Sequence, residues 1–381
     1  YNVAVGQEAG RSVTTGINNT LIGGLAGDAI TTASNNTAVG GGALGATTGR
    51  DNTAVGFQAG TTNIGGVENT ALGMYALRFN TTGNGNTALG LQALHRNTTA
   101  SNNTAVGYQA GEQITVGTQN VLVGTLAGDA LTDADDNTAL GYLALTADTL
   151  GSKSTAIGDR ALKTQNFTTA TDTYNTAVGF QVGEFITTGV QNTLVGALCL
   201  DNLTTGDLHT AIGYNLGPSA VGVDSEIIIG SNVNGAGTGQ VRIGLAAGSA
   251  TLGLDGSDTS WSASSDSRLK TDVATCAVGL DFIKDLRPIT FKWNAKDAVA
   301  NTLPQYDADS SDPVYGSGQI QHGFLAQEVK TAIDAHSGLK NGFTMWREDP
   351  DGTQQVAPTA LVPMLVKAIQ ELEARIATLE G

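Results

Sequence analysis

The sequence predicts a mainly β protein. A repetitive parallel β-roll or β-solenoid shaft with 17-residue coils precedes a small α+β domain that ends in a coiled-coil helix. A glycine-rich unit recurs at a nearly fixed period through residues 1–248, and the composition then changes to that of an ordinary globular domain. A fixed short period is typical of stacked units that each contact only their neighbours. We therefore divide the chain into a shaft at 1–248, a connector at 249–264 and a globular domain at 265–381.

Each repeat contains a pentad such as Asn-Thr-Ala-Val-Gly, and its closing glycine marks the period. Consecutive repeat glycines are 17 residues apart in eleven of fourteen intervals, and the exceptions are 16, 21 and 14 residues. The residue before the glycine is Val, Ile or Leu in all fifteen units. Such pentads indicate strands, and the Thr-, Asn- and Gly-rich segments between them indicate turns. The repeat glycines are Gly6, Gly23, Gly40, Gly56, Gly73, Gly90, Gly107, Gly124, Gly141, Gly158, Gly179, Gly196, Gly213, Gly230 and Gly244.

The spacing within the unit predicts how the coils stack. Seventeen residues are too few for a strand-helix repeat, so we expect two short strands and two turns per coil. Equivalent pentads then pair about 4.8 Å apart. The aliphatic residue would form a dry ladder, and the Asn four positions before the glycine, as at Asn36 and Asn52, an amide ladder. The Ala three positions after it, as at Ala43, would give a face for close approach. So narrow a coil buries little, and we expect several chains to pack along the Ala or the aliphatic face.

Composition and charge argue against several classes of partner. The net charge is −16, and phosphate binding needs basic clusters, so no nucleic-acid partner is expected. No apolar run approaches the roughly 18 residues of a membrane span, and no signal peptide is recognised. Cys199 and Cys276 lie too far apart in sequence to indicate a disulfide or metal framework. We therefore predict no metal, no cofactor and no membrane insertion.

Aromatic residues directly follow the repeat glycine in five units. Exposed rings can stack on the sugars of a host surface, whereas rings that cover turns or neighbouring coils only stabilise the shaft. The second interpretation is favoured, and the first stays open. The five residues are Phe57, Tyr108, Tyr142, Phe180 and Tyr214.

The boundary of the globular domain holds a candidate nucleophile and base. Ser265 and Lys270 stand five positions apart in the stretch Ser-Asp-Ser-Arg-Leu-Lys. A serine hydroxyl becomes nucleophilic next to a lysine that has lost its proton. Taken alone, the stretch is more typical of a solvated loop, and its meaning depends on the sequence that follows.

Four blocks in order make residues 265–381 resemble the intramolecular chaperone domain, also called the S74 peptidase domain, at the end of bacteriophage tail fibres and tailspikes. The first block is Ser-Asp-x-Arg-x-Lys, and the second is the run from Gly279 to Trp293. The third is His-Gly-Phe-Leu-Ala-Gln-Glu-Val from His322, and the fourth begins at Leu361. The chain departs from the family at 356–359, where Ala357 and Pro358 stand where the family often has an aromatic residue.

The resemblance implies a domain that trimerises, guides folding of the β-structured fibre before it, and then cuts itself off. It implies that Ser265 is the nucleophile, that Lys270 is its general base, and that the Ser264–Ser265 bond is cleaved. Asp266 and Arg268 would support the turn. At most the chain is thus a single-turnover, self-cleaving serine endopeptidase with a Ser-Lys dyad and no external substrate.

The last residues carry a heptad pattern, which predicts a coiled coil at 361–380. Apolar residues are spaced alternately three and four apart, while Glu371, Glu373 and Arg375 lie off the seam. So short a coil is not stable alone, and its residue types lean towards two strands. The family implies three strands, which we adopt. The seam residues are Val362, Leu365, Ile369, Leu372, Ile376 and Leu379.

The shaft repeats also have a relative in sequence pattern. Over about 2–248 they resemble the head repeats of trimeric autotransporter adhesins, which form a trimeric left-handed β-roll with a shorter coil. The two resemblances together imply a homotrimeric tail fibre or adhesin shaft of a phage virion, extracellular, with other tail proteins and a host cell-surface receptor, for example a glycan, as partners. A bacterial trimeric surface adhesin with the same chaperone, or a fragment of a polysaccharide depolymerase tailspike, are the alternatives.

Overall fold

A computed structural model gives the structure of the chain in two compact units, Tyr1–Ser265 and Asp266–Gly381. Each unit is described by itself. The described residues are 1–254, 262–263, 267, 270–301, 305–315, 318–339, 343–349 and 352–380.

The first unit is a parallel β-solenoid of about fourteen turns, which confirms the predicted fold class. Fifteen strands, one at each repeat glycine, pair with the strands of the coils before and after. They are β1 (Val3–Val5), β2 (Thr20–Ile22), β3 (Thr37–Val39), β4 (Thr53–Val55), β5 (Thr70–Leu72), β6 (Thr87–Leu89), β7 (Thr104–Val106), β8 (Val121–Val123), β9 (Thr138–Leu140), β11 (Thr155–Ile157), β13 (Thr176–Val178), β14 (Thr193–Val195), β15 (Thr210–Tyr214), β16 (Ile227–Ser231) and β17 (Gln240–Leu245).

The register of this ladder follows the sequence period. Val55 pairs with Leu72, and Leu72 with Leu89, so equivalent residues stack one coil above another. The repeat glycines form a column, and those from Gly6 to Gly230 have positive φ, for example +139° at Gly90. A Cβ atom at Gly90 would lie 2.2 Å from the carbonyl oxygen of Gly107 in the next coil. Only glycine allows the coils to approach this closely, which explains the glycine in every unit.

The expectation of two strands per coil is wrong. After each strand the chain turns through residues with left-handed φ, such as Gln58 at 53° and Leu77 at 50°, and such backbone cannot continue a strand. Elsewhere in the coils, within the described residues, a second paired segment forms between β10 (Gly151–Ser152) and β12 (Thr171–Asp172). β12 lies in the longest interval, between Gly158 and Gly179, and β10 lies in the coil before it, so the extra residues of the longer coil accompany the additional pairing.

Alanine and leucine fill the interior of each coil. The central strand residue, such as Ala54, and the Ala three positions after the glycine, such as Ala59, are both fully buried within the chain. The predicted Ala face for a neighbouring chain is therefore wrong, because the coil itself closes over that face. In some coils the residue after this Ala is glycine, and its missing side chain leaves space for a leucine of the coil before. A Cβ at Gly60 would lie 2.9 Å from the Leu44 side chain of the preceding coil. This explains the alternation of Gly and Leu at that position.

The predicted amide ladder forms, and its side-chain amides bond to the backbone through both Oδ1 and Nδ2. Asn69 donates its backbone N–H to Oδ1 of Asn52 at 3.0 Å, and Asn86 donates in turn to Oδ1 of Asn69 at 2.9 Å. The Nδ2 group of Asn69 donates to the Gly83 carbonyl at 2.8 Å. The amides thus satisfy buried backbone groups just before each strand and across the coil from it.

The solenoid ends in antiparallel pairing. β18 (Gly248–Gly253) pairs antiparallel with β17, and β19 (Ser262–Ala263) pairs antiparallel with β18. Part of the segment that the sequence assigns to a connector is therefore a strand that covers the edge of the last coil. A covered edge prevents further strand addition at this end of the ladder.

The second unit is a small α+β domain with a terminal helix. Its core contains Phe282 from α1, Val329 and Ile333 from α2, and Met345 and Met364. Both small sheets are antiparallel pairs of strands. The elements are α1 (Leu280–Asp285), β20 (Ile289–Phe291), β21 (Gln321–Gly323), α2 (Ala326–Ala335), β22 (Trp346–Glu348), β23 (Gln354–Val356) and α3 (Val362–Glu380).

Candidate functional site

The outer surface of the solenoid sheet carries a continuous apolar band. Strand residues alternate between the two faces, so a buried Ala places its two neighbours outside. We call the three outward ladders together the outer band: the strand residue three before each repeat glycine, the aliphatic residue just before it, and the residue just after it. Leu72 is 47% exposed, Leu140 45% and Ile212 44%. The aliphatic ladder therefore lies on the outside of the chain, not in a dry interior.

The outer band is almost free of charge. Its first ladder is mainly Thr with some Val and Ile, and its second is entirely Val, Leu or Ile. In all three ladders over fifteen coils, Asp159 is the one charged residue. Charged side chains such as Arg78, Glu112 and Asp129 lie in the turns instead. A long uncharged face on an acidic protein indicates a surface that is covered by a partner.

The five predicted aromatic residues belong to this band. Phe57 is 48% exposed, Tyr108 44%, Tyr142 46%, Phe180 49% and Tyr214 51%. About half of the surface of each residue is therefore accessible, and the Phe57 ring also packs edge-on against Tyr75 of the next coil, with the ring centroids 5.7 Å apart. The five residues add apolar area to the third ladder at five of its fifteen coils.

Of the predicted catalytic residues, Lys270 is described, and it lies in the second unit. Its side chain is exposed, and its backbone N–H donates to the Ser267 carbonyl at 3.2 Å. Ser264, Ser265, Asp266 and Arg268 lie outside the described residues. The Ser-Lys pairing thus stays a prediction from the resemblance.

The heptad seam of α3 is exposed along its length. The six seam residues range from 42% exposed at Leu365 to 86% at Leu379. The side of the helix next to the seam packs on the unit through the buried residues Met364 and Ala368. The helix is thus held to its own domain by one face and presents an apolar stripe on the neighbouring face.

A hydrogen bond fixes α3 against α1. Glu371 accepts the backbone N–H of Leu280 through Oε2 at 2.9 Å. This bond lowers the pKa of Glu371 below its ordinary value of 4.5, and the nearby charges of Lys367 and Arg375 lower it further. The carboxylate satisfies an amide at the first turn of α1 that has no partner within its own helix.

Sequence reasoning missed a buried His-Glu pair at the end of the amide ladder. His209 and Glu226 stand where other coils have Asn, and both side chains are fully buried. Glu226 accepts the backbone N–H groups of Ser219 and Gly237, and His209 contacts the Val223 carbonyl through Nε2 at 2.6 Å. Their place in the repeat, four residues before Gly213 and Gly230, is the signal that would have found them.

Neither a metal cluster nor a membrane-spanning helix is present in the described part of the chain. Those residues contain no group of three or more His, Cys, Asp or Glu side chains able to hold a metal ion. None of the described helices combines the length and the apolar character that crossing a bilayer requires.

One comparison matches part of the second unit to a known family. Residues 265–338 match the family model Peptidase S74, described as the chaperone of endosialidase. The fourth block of the sequence resemblance, from Leu361 onwards, lies beyond the matched residues. Comparison with curated proteins and with solved structures gives no match. A β-solenoid shaft that precedes a segment of this family fits a trimeric fibre or tailspike-type protein.

Proposed function

We propose that the chain is the shaft and the C-terminal chaperone of a homotrimeric fibre in a bacteriophage virion, outside the cell, where it connects tail proteins to a host surface receptor. The observation that carries the proposal is the outer band, an apolar and nearly uncharged ladder repeated in every coil. The family match supports self-association, because the family implies trimers.

The size of the outer band is sufficient for a stable interface. Fifteen strands at about 4.8 Å spacing give a length of about 67 Å, and the five residues from first to third ladder span about 13 Å. The product is about 900 Å² per chain, which compares with about 800 Å² per partner in a standard specific interface. Three copies with parallel axes and their bands turned inwards would bury this face in every coil.

The exposed seam of α3 supports the same assembly at the other unit. Apolar residues at heptad spacing on an exposed helix face are typical of a coiled-coil interface. Helices of about 19 residues form such coils only when an attached domain brings them together. The domain on which α3 packs through Met364 and Ala368 would bring the helices of the copies together.

Self-cleavage is the second part of the proposal. The Ser265 hydroxyl oxygen attacks the carbonyl carbon of Ser264 while the Lys270 amine takes the hydroxyl proton. The C–N bond then breaks, the Ser265 nitrogen receives a proton, and an ester joins the two residues. Water hydrolyses this ester to leave a Ser264 carboxylate and a new N-terminus at Ser265. Lysine serves as the base only when its surroundings lower its pKa, a condition that assembly of the copies would provide by burying it.

Light scattering on the purified full chain tests the self-association. The expected molar mass is three times the 38.7 kDa of one chain, or three times that of the shaft alone after cleavage. Leu72→Asp places a charge in the outer band and should reduce the mass towards that of one chain. Ile64→Asp is the matched control, because Ile64 is similarly exposed at 51% but lies in a turn outside the band. A wild-type chain that is monomeric at micromolar concentration would contradict the proposal.

Virion membership has its own test. Mass spectrometry of purified virions from the source culture should detect peptides of the shaft. Peptides from residues 270–380 should be depleted if the chaperone has been released. Shaft peptides found in the host cell envelope and not in virions would favour the bacterial adhesin instead.

A further inference from the structure

The coil that contains Asp159 and Arg160 interrupts the outer band. Asp159 occupies the third ladder between Tyr142 in the preceding coil and Phe180 in the following coil. Arg160 follows it with a left-handed φ of 54° and donates its backbone N–H to the Tyr142 carbonyl at 2.8 Å. A carboxylate and a guanidinium thus lie at one level of a surface that is otherwise uncharged.

The two charges are poorly paired within one chain. The closest approach is 3.7 Å, between Nε of Arg160 and Oδ1 of Asp159. That distance is longer than a hydrogen bond. Oδ1 of Asp159 is buried and has no hydrogen-bond donor among the described residues. The side chains are nevertheless 38% and 37% exposed, so both can reach beyond the chain's own surface.

The first two ladders of the outer band cannot define a register between copies. Their residues are Thr, Val or Ile in the first and Val, Leu or Ile in the second, so a slip of one coil brings each aliphatic residue opposite another aliphatic residue. The third ladder varies from coil to coil, and Asp159 is its one charged residue. The apolar contact area changes little, and weakly specified registers of this kind are prone to slippage. A feature that occurs in one coil is needed to distinguish the correct alignment, as a single polar residue does in a coiled coil.

We propose that Asp159 and Arg160 set the register in which copies of this chain pack side by side. In the aligned assembly, Asp159 of one copy lies at the level of Arg160 of the next, and the pair can form charge-assisted hydrogen bonds. A slip of one coil would place the carboxylate at the level of Tyr142 or Phe180 of the neighbouring copy, where it would be desolvated and unpaired. Such a charge is strongly unfavourable. This inference rests on the proposed self-association and adds the residues that align it.

Residues that set the register within the shaft itself are needed because the chaperone domain is expected to be cleaved off. While the second unit is attached, it can hold the chain ends level. After cleavage between Ser264 and Ser265 only the shaft remains, and its alignment depends on its own interface. Asp159 and Arg160 lie in the tenth of fifteen coils, well inside the shaft, where fraying of either end does not release them.

Disulfide trapping in the full chain tests the register. In a background with Cys199→Ala and Cys276→Ser, two chain types are co-expressed, one with Tyr108→Cys and one with Thr125→Cys and a larger tag. Both sites occupy the third ladder, 17 residues apart. Aligned copies place identical positions at the same level, whereas a slip of one coil, about 4.8 Å along the axis, places 108 at the level of 125. Because a disulfide forms most readily at Cα separations of about 5.5–6 Å and tolerates no more than about 7 Å, the ratio of mixed to identical disulfides reports the register.

The wild-type pair should favour disulfides between identical positions. The double variant Asp159→Ala/Arg160→Ala should raise the proportion of mixed 108–125 disulfides by about tenfold. The exchanged variant Asp159→Arg/Arg160→Asp should restore the wild-type proportion. Lys153→Ala/Asp172→Ala is the control, since it removes a nearby ion pair between neighbouring coils outside the band and should change nothing.

The possible failures are distinguishable. A trimeric chain whose disulfide proportions do not respond to the double variant would overturn the register assignment and leave the self-association intact. A monomeric chain without any interchain disulfide would overturn both. An exchanged variant that behaves like the alanine variant would show that the charges do not pair between copies.

Discussion

Asn69 donates its backbone N–H to the side-chain oxygen of Asn52, which stands one coil earlier in the same ladder. The bond connects a side chain of one turn to the backbone of the next, so each amide holds two coils in register. An Asn four positions before each repeat glycine is all that the sequence needs to specify this contact.

Replacement of Asn69 by Ala should destabilise the shaft. The substitution leaves the buried N–H of Asn86 without its partner and removes one of the two donors to the Gly83 carbonyl, which keeps the Nδ2 group of Asn80. A buried unsatisfied polar group costs about 1–3 kcal/mol, so we expect a loss of about that size. Chemical denaturation followed by circular dichroism measures it. Thr53→Ala, on the outer face of a strand, should cost much less, and equal losses would argue against the ladder.

Gly90→Ala should be more damaging than an ordinary glycine substitution. The new Cβ would lie 2.2 Å from the Gly107 carbonyl, at a φ of +139° that other residues avoid. Strain of this kind costs about 1–3 kcal/mol before the clash is added. Gly24→Ala is the control, because its nearest neighbour, the Gln7 carbonyl oxygen, would be 4.0 Å away. Melting temperatures of the two variants should differ clearly, and similar values would contradict the close stacking of coils.

Acid should weaken the contact between α3 and α1. The pKa of Glu371 is lower in the folded chain than the ordinary 4.5 because Leu280 donates to its carboxylate. The stabilisation is therefore complete above about pH 4.5 and is lost as the pH falls through the folded value. Urea midpoints followed by helical circular dichroism should decline over this range. Glu371→Gln should reduce the decline, and Glu373→Gln, on the exposed side of α3, should leave it unchanged.

Self-cleavage should depend on two residues. Wild-type protein should give two fragments on a denaturing gel, meeting between Ser264 and Ser265. Ser265→Ala and Lys270→Ala should each leave the chain whole, because the first removes the nucleophile and the second its base. Cleavage at the same bond in the Ser265 variant would exclude the assigned dyad. A wild-type chain that stays whole after assembly would indicate a chaperone without protease activity.

Much of the shaft could be predicted from sequence because the pairing of its strands follows directly from the period of the repeat. The spacing of the repeat glycines determines which strands pair, and Val55 meets Leu72 as the period requires. The orientation of the strand was harder to predict. Bulky residues usually face a core, but here the coil is so narrow that Ala54 faces inwards and Val55 outwards.

The candidate site was less accessible to sequence reasoning for two physical reasons. The proposed dyad depends on burial that only assembled copies would provide, and a single chain leaves Lys270 exposed. Asp159 cannot be recognised as a special residue from the sequence alone, because what distinguishes it is the absence of charge at the other positions of the outer band. That pattern becomes visible only after the outward ladders have been assigned.

The direction of the ladder hydrogen bonds has a mechanical consequence. They run along the solenoid axis, so a pull on its two ends would load the fourteen strand interfaces in series and open them one after another. Each opened coil would release about 17 residues, or roughly 58 Å of extended chain. A single shaft under tension would therefore yield in even steps and dissipate the load gradually. Neighbouring copies bound along its side would have to be peeled away at each step, which raises the force that the fibre withstands.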